Sequence, residues 1–174
     1  MDARWRTRSH RRGLSVLPRS LCSARRGGRR AGCCRTSESH AWQFVTCSSD
    51  DLVQTMRHGA RSAVGLAAPQ IGVSLRIFVM QERLDNGRDK LYVCIDPAIV
   101  QWAGRTSFSE GCLSFPDAAY VRTERAERIT LAWTDRKGAR QEKKLVGLLA
   151  VCAQHELDHL DGKLMVDYGE LQGV

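Results

Sequence analysis

"VGLLAVCAQHELDHLDG", residues 146–162, is the stretch on which the reading of this chain turns. Leu148, Val151, Cys152, His155 and His159 recur at helical spacing, so they share one face of a predicted helix. Gly162 stands where a left-handed residue would close that helix. Inside the stretch lies H-E-x-x-H, with His155 and His159 four residues apart and Glu156 beside the first. Positions four apart lie on the same helix face, so two imidazoles can bind one metal ion. Two ligands are too few for a catalytic centre, which usually takes three from the protein and keeps one position open.

Downstream residues complete the set poorly. The extended protease form of the motif would place its next ligand at Met165, an unsuitable donor for a hard catalytic metal. The acidic residues after His159 are Asp161, Asp167 and Glu170, of which Asp167 is the best candidate. Upstream, "SEGCLSFPD" at 109–117 offers Cys112, and a thiolate is a strong metal ligand. Cys112, His155 and His159 together make a His₂Cys set with one open position.

Around the helix the chain reads as strands. "VSLRIFVMQE" and "KLYVCIDPAIVQW" flank the turn "LDNGRD". "RITLAWTDRKGARQEKKL" predicts a hairpin in which Ile129, Leu131 and Trp133 alternate with Thr130, Ala132 and Thr134. "SSDDLVQTMRHGARS" opens with Ser and Asp, a helix-start signal, and predicts a short helix. Strands followed by one late helix imply an α+β fold, antiparallel strands packed around a metal-binding helix that carries H-E-x-x-H.

At 174 residues the chain suits one domain with its own core. No apolar run approaches the roughly 18 residues a membrane-spanning helix needs. The net charge of +8 is unevenly spread: the first forty residues hold eleven of the 27 Lys and Arg and two of the 19 Asp and Glu. The rest, with 16 basic and 17 acidic residues, is near neutral, so the overall charge does not argue for a nucleic-acid-binding domain. Seven cysteines without a C-x-x-C pair read as reduced thiols in an intracellular protein. Residues 1–45, rich in Arg, Ser and Gly, read as a disordered basic extension or transit-like segment, with 46–174 the catalytic domain. The expected location is the cytoplasm, or a mitochondrion or plastid if residues 1–45 are a transit peptide.

Three motifs then act together. "AVGLAAPQ" at 63–70, "EGCLS" at 110–114 and "QHELDHL" at 154–160 occur in order, and with them the chain resembles the peptide deformylases over roughly residues 48–170. The resemblance implies removal of the N-formyl group from formylmethionyl peptides of newly made proteins, with release of formate. It implies one divalent ion, Fe²⁺ first and Zn²⁺, Ni²⁺ or Co²⁺ as substitutes, held by Cys112, His155 and His159. Glu156 would be the general base, and Gln70 with the backbone of Leu113 would stabilise the oxyanion. Val64 and Gly65 would pair with the peptide, while Val64, Leu148, Val151 and Cys152 would line a methionine pocket. Arg125 is expected to contact Glu110, and Asp158 to be a solvated or ligand-supporting carboxylate. The implied partner is the nascent peptide, with ribosome contact through the basic segment, no membrane, and a monomeric state.

Departures from the family pattern carry their own expectations. Ala63 replaces the first glycine of its signature and would be strained by about 1 kcal/mol if a positive φ were needed there. The usual N-terminal strand is not visible in residues 1–47. The competing readings are an inactive or truncated paralogue and an H-E-x-x-H metallopeptidase.

Overall fold

The computed structural model describes residues 6–7, 37–59, 63–116 and 118–173. Its elements run β1 (Arg6–Thr7), α1 (Ser37–His58), β2 (Gly65–Ala67), β3 (Ile77–Arg83), β4 (Asp89–Ala103), β5 (Thr106–Gly111), β6 (Tyr120–Arg125), β7 (Arg128–Thr134), β8 (Arg140–Val146) and α2 (Gly147–Leu160). Short 3-10 turns follow β2, at Ala68–Ile71, and α2, at Met165–Asp167. The fold is α+β, as expected. An antiparallel sheet runs β2-β3-β4-β7-β8 with β1 beside β4, and β5 and β6 form a second sheet.

The run "IFVM" in β3 is buried at every position because helices cover both faces. Phe78 and Met80 point to the cluster under α2, with Tyr92, Leu131 and Leu145. Ile77 and Val79 point to the cluster under α1, with Leu52, Val53 and Met56. Strand β4 continues past Pro97 by shifting register between Ile95 and Ala98. A residue without an N–H is accommodated where the ladder is already interrupted. The two hairpin turns form as their sequences demand, with Gly87 at φ 75° and Gly138 at φ 82°.

Several expectations change. Helix α1 is 22 residues long and starts at Ser37, so "SSDD" lies in its middle. Ser48 and Ser49 are buried there, and the Ser49 hydroxyl donates to the Thr46 carbonyl at 2.8 Å. Docking of Val45, Leu52, Val53 and Met56 on the sheet overrides the local capping signal. The helix therefore crosses the division placed at 45/46. Of the basic segment before it, residues 1–5 and 8–36 lie outside the described residues. The N-terminal segment does supply sheet pairing, since Arg6 and Thr7 pair with Trp102 and Gln101 of β4. In β7 the predicted alternation is not an alternation of burial, because Thr130 and Ala132 are as covered as their apolar neighbours. Ala63 is not among the described non-glycine residues with positive φ, which are Asp96 and Ala118, so the expected strain is absent.

Candidate active site

Helix α2 is built from good helix formers and ends as its glycine requires. Gly162 adopts φ 73°, its N–H meets the His159 carbonyl, and the Lys163 N–H returns to Asp158 at 2.8 Å. This 6→1 and 5→2 pairing is a Schellman closure and satisfies the last carbonyls. The four-residue spacing places the His155 and His159 rings 4.9 Å apart and nearly perpendicular.

Strand β5 ends at Gly111 and delivers Cys112 to the same place. The Cys112 thiol lies 3.2 Å from His159 Nε2, and one ligand atom from each of Cys112, His155 and His159 falls within 4.8 Å of the others. The donor set fits a divalent ion: one thiol and two imidazoles, converging and largely buried. Burial pushes the Cys112 thiol up, but His155, His159 and the Ser114 N–H outweigh it and hold the thiol well below its ordinary value. Burial opposes charge on His155 too, and the neighbouring thiolate and Glu110 push its pKa up against that.

The carboxylate of Glu110 orients His155. Its Oε2 accepts from His155 Nδ1 at 2.8 Å, which turns Nε2 toward the cluster. Arg125 grips Glu110 with both prongs, Nε to Oε1 at 2.5 Å and Nη2 to Oε2 at 2.9 Å. Its remaining nitrogen meets Asp158 at 2.6 Å, and the Thr123 hydroxyl also donates to Glu110. Arg125 thus contacts Glu110 as expected, and Asp158 is the third corner of that network. Glu110 is held down to about 2: burial works against ionisation, and Arg125, His155 and Thr123 overcome it.

Glu156 faces the cleft from the same helix at 4% exposure. Its Oε2 is buried without a hydrogen-bond partner. Burial pushes its pKa up to about 8, Cys112 and Glu110 add to the rise, and His155 opposes it. A carboxyl poised near neutrality in a cleft suits proton transfer.

A cavity of about 470 Å³ runs along this cluster, walled by Val64 and Gly65, the Gly111–Leu113 corner and one face of α2. Leu148, Val151 and Cys152 line it, and Leu148 is half exposed at its mouth. Gln70 is fixed at both ends: its Oε1 accepts the Ala67 N–H at 2.9 Å, and its Nε2 donates to Ser114 at 3.1 Å and faces Cys112 Sγ at 3.5 Å. The Val64 carbonyl is taken by the Gln81 N–H of β3 at 2.8 Å. By the alternation of antiparallel pairs, the next residue, Gly65, turns its N–H and C=O to the outer edge, which no strand covers among the described residues. Of the two residues expected at this edge, Val64 thus turns its carbonyl into the sheet and Gly65 leaves its backbone groups facing outward. Gly65 also leaves no room for a side chain, since a Cβ there would lie 2.6 Å from Glu156 Oε1 and 2.7 Å from Cys152 Sγ.

Sequence reasoning did not find Thr123, Ser114 or the steric role of Gly65. For Thr123 a signal existed: Val121, Thr123 and Arg125 alternate inward on β6, and two of the three are polar.

Comparison with known proteins agrees with this geometry. A family model described as Polypeptide deformylase matches residues 34–172. The chain is 47% identical over 120 residues to a peptide deformylase of Alkalilimnicola ehrlichii, an alignment covering 69% of this chain and 65% of that one. It is 45% identical to peptide deformylase 2 of Xanthomonas campestris pv. campestris, over 68% of this chain and 67% of the relative. The chain thus spans about two thirds of the length of these curated relatives. Among solved structures, a peptide deformylase from Legionella pneumophila superposes with a TM-score of 0.65 at 44% identity, over 74% of this chain and 73% of that one. A probable peptide deformylase from synechococcus phage S-SSM7 gives 0.64 at 29% identity, over 80% and 90%. With sequence, fold and the convergence of Cys112, His155 and His159 in agreement, the chain belongs to the polypeptide deformylase family.

Proposed function

We propose that this chain hydrolyses the N-formyl group of formylmethionyl peptides, releasing formate and a free N-terminal amine. The observation that carries the reading is the convergence of Cys112, His155 and His159 beside the buried, unpartnered Glu156 oxygen in an apolar cleft. Cys112, His155 and His159 would hold one divalent ion, which we assign as Fe²⁺; the donor set also suits Zn²⁺, Ni²⁺ or Co²⁺. Such an ion supplies Lewis acidity toward a carbonyl oxygen and lowers the pKa of water.

The chain's own residues do the rest. Glu156 takes a proton from the attacking water and passes it to the leaving amine nitrogen. Its position supports this, because the carboxylate sits beside the ligand cluster with Oε2 buried and taken by no other hydrogen-bond partner. The Gln70 amide, held by Ala67 and Ser114, donates from Nε2 to the developing oxyanion together with the Leu113 N–H. Gly65 pairs with the peptide backbone as an added strand. Val64, Leu148, Val151 and Cys152 receive the methionine side chain. An apolar pocket discriminates by only about 1–3 kcal/mol per methylene, so the selectivity is a preference. The partner is the N-terminus of a nascent chain, met by a monomer in the cytoplasm. The basic N-terminal segment, which we assign to the ribosome, predicts salt-dependent RNA binding that is lost when residues 1–36 are deleted. Among the described residues no helix is long and apolar enough to cross a membrane.

The test is anaerobic expression, metal content per protein, and formate release from a formyl-Met peptide. Near-stoichiometric metal with turnover, both lost in Cys112→Ala and turnover alone lost in Glu156→Ala, is the expected result. Folded, metal-loaded protein that leaves the peptide intact would refute the reading.

A further inference from the structure

Tyr168 lies beyond all three motifs, just after the 3-10 turn at Met165–Asp167. Its ring sits over the Arg125 guanidinium, 4.4 Å from the ring centroid. The guanidinium is engaged at its edge by Glu110 and Asp158, and its side chain is only 5% exposed. Two carboxylates therefore fix Arg125 in its plane, and the ring closes one face of that plane. Glu110 in turn holds His155 Nδ1. The order of contact is Tyr168, Arg125, Glu110, His155, from the surface to the metal-ligand cluster.

The ring is seated by its own segment. The Tyr168 N–H donates to the Met165 carbonyl at 3.1 Å, and Gln172 pairs with Tyr120 through bonds of 3.0 and 2.9 Å. Gly169 packs so closely that an added Cβ would lie 3.2 Å from Val121 Cγ1. Residues 168–172 thus run against β6, the strand that carries Arg125. The residue stays 41% exposed, so the ring covers Arg125 from the solvent side; partial burial and a hydrogen bond to the Asp158 carboxylate push its hydroxyl pKa up.

We propose that Tyr168 is a positioning residue for the metal centre: its ring holds the Arg125 guanidinium flat against Glu110, and so sets the direction in which His155 presents Nε2. The proposal rests on the reading of Cys112, His155 and His159 as the ligands.

The experiment is a Co²⁺ titration of the full chain, followed by the thiolate-to-metal charge-transfer band, in wild type, Tyr168→Phe and Tyr168→Leu. Phenylalanine keeps the aromatic face; leucine keeps apolar bulk without it. Partners behind a metal ligand typically carry 10–100-fold in affinity. The Phe variant should bind within about twofold of wild type and the Leu variant about tenfold more weakly, with metal-free melting temperatures of the two alike. Equal affinity in Phe and Leu overturns the proposal, as does a Leu variant that melts lower yet binds as wild type does, since the contact would then be structural only. If the Leu protein does not fold, Tyr168→Met makes the same comparison with a more adaptable side chain. A wild type without the cobalt band overturns both the ligand assignment and this inference. A band present in wild type and absent in Cys112→Ala secures the ligands whatever Tyr168 does.

Discussion

Replacing Gly65 by alanine separates what the fold needs from what the chemistry needs. The position is not one of positive φ, so alanine brings no backbone strain, and the whole effect is where its methyl group goes. That group would lie 2.6 Å from Glu156 Oε1, 2.7 Å from Cys152 Sγ and 2.9 Å from Glu156 Cγ. Reaching an ordinary separation of 3.4 Å requires the carboxylate oxygen to retreat by ~0.8 Å. A carboxylate arm can swing that far at modest cost, so stability should drop by about 1–2 kcal/mol, within the range for overpacking. The proton-transfer geometry cannot absorb the same movement, since a displacement of about 1 Å costs on the order of 100-fold in rate. The assay is kcat/KM for formate release beside a urea midpoint and metal content. We expect a loss of about 100-fold with metal retained and the protein folded. Adding Cys152→Ala should recover stability, because it relieves the sulfur contact, and should leave activity low, because the Glu156 contacts remain. A Gly65→Ala protein within threefold of wild-type activity would refute the reasoning that this glycine exists to clear space for Glu156.

Other outcomes follow from the same geometry. Arg125→Met strands the Glu110 carboxylate, whose side chain is 3% exposed, and should destabilise the protein by about 3–5 kcal/mol in urea titrations. A loss under about 1 kcal/mol would mean that Glu110 finds water or protonates instead. Glu156→Gln should lower kcat by about 10²–10⁴-fold with metal content unchanged. The same variant has a pH signature in metal-free protein: the native Glu156 carboxyl keeps its proton to about pH 8, against 4.5 for the unfolded chain. The native state then binds more protons between those values, so this group's contribution falls as pH rises across the window. Urea midpoints at pH 5 and pH 8 should therefore show Glu156→Gln gaining on wild type at the higher pH, and parallel profiles would contradict the burial argument. Gly162→Ala, at φ 73°, should cost about 1 kcal/mol and leave turnover intact.

The strands and hairpins were legible because their patterns are local. Alternation, turn glycines and the unbroken run "IFVM" each mark how a few residues present themselves to a core. Helix α1 was misjudged for the complementary reason. Its "SSDD" signal is local, whereas the packing that keeps those residues inside the helix comes from Val45, Leu52, Val53 and Met56 docking against β2 and β3. The 3.6-residue period also fixed α2 completely, from the shared face of His155 and His159 to the closing Gly162.

By itself the sequence picked out the residues that converge in the cleft: two histidines one turn apart, a glutamate beside the first, and a cysteine in a distinctive motif. Of what holds and aims that set, only the Arg125–Glu110 contact and a supporting role for Asp158 were expected, from the family resemblance; the rest was decided by tertiary structure. The Glu110 carboxylate that orients His155 is 45 residues away in the chain, and Arg125 reaches Asp158 across 33. The emptiness that Gly65 preserves for Glu156 is likewise a property of two elements meeting. Spacing along a helix or strand records which side a residue faces. It carries no record of which distant residue will be waiting there, because that choice is made by how the sheet register and the α2 docking bring separate strands together.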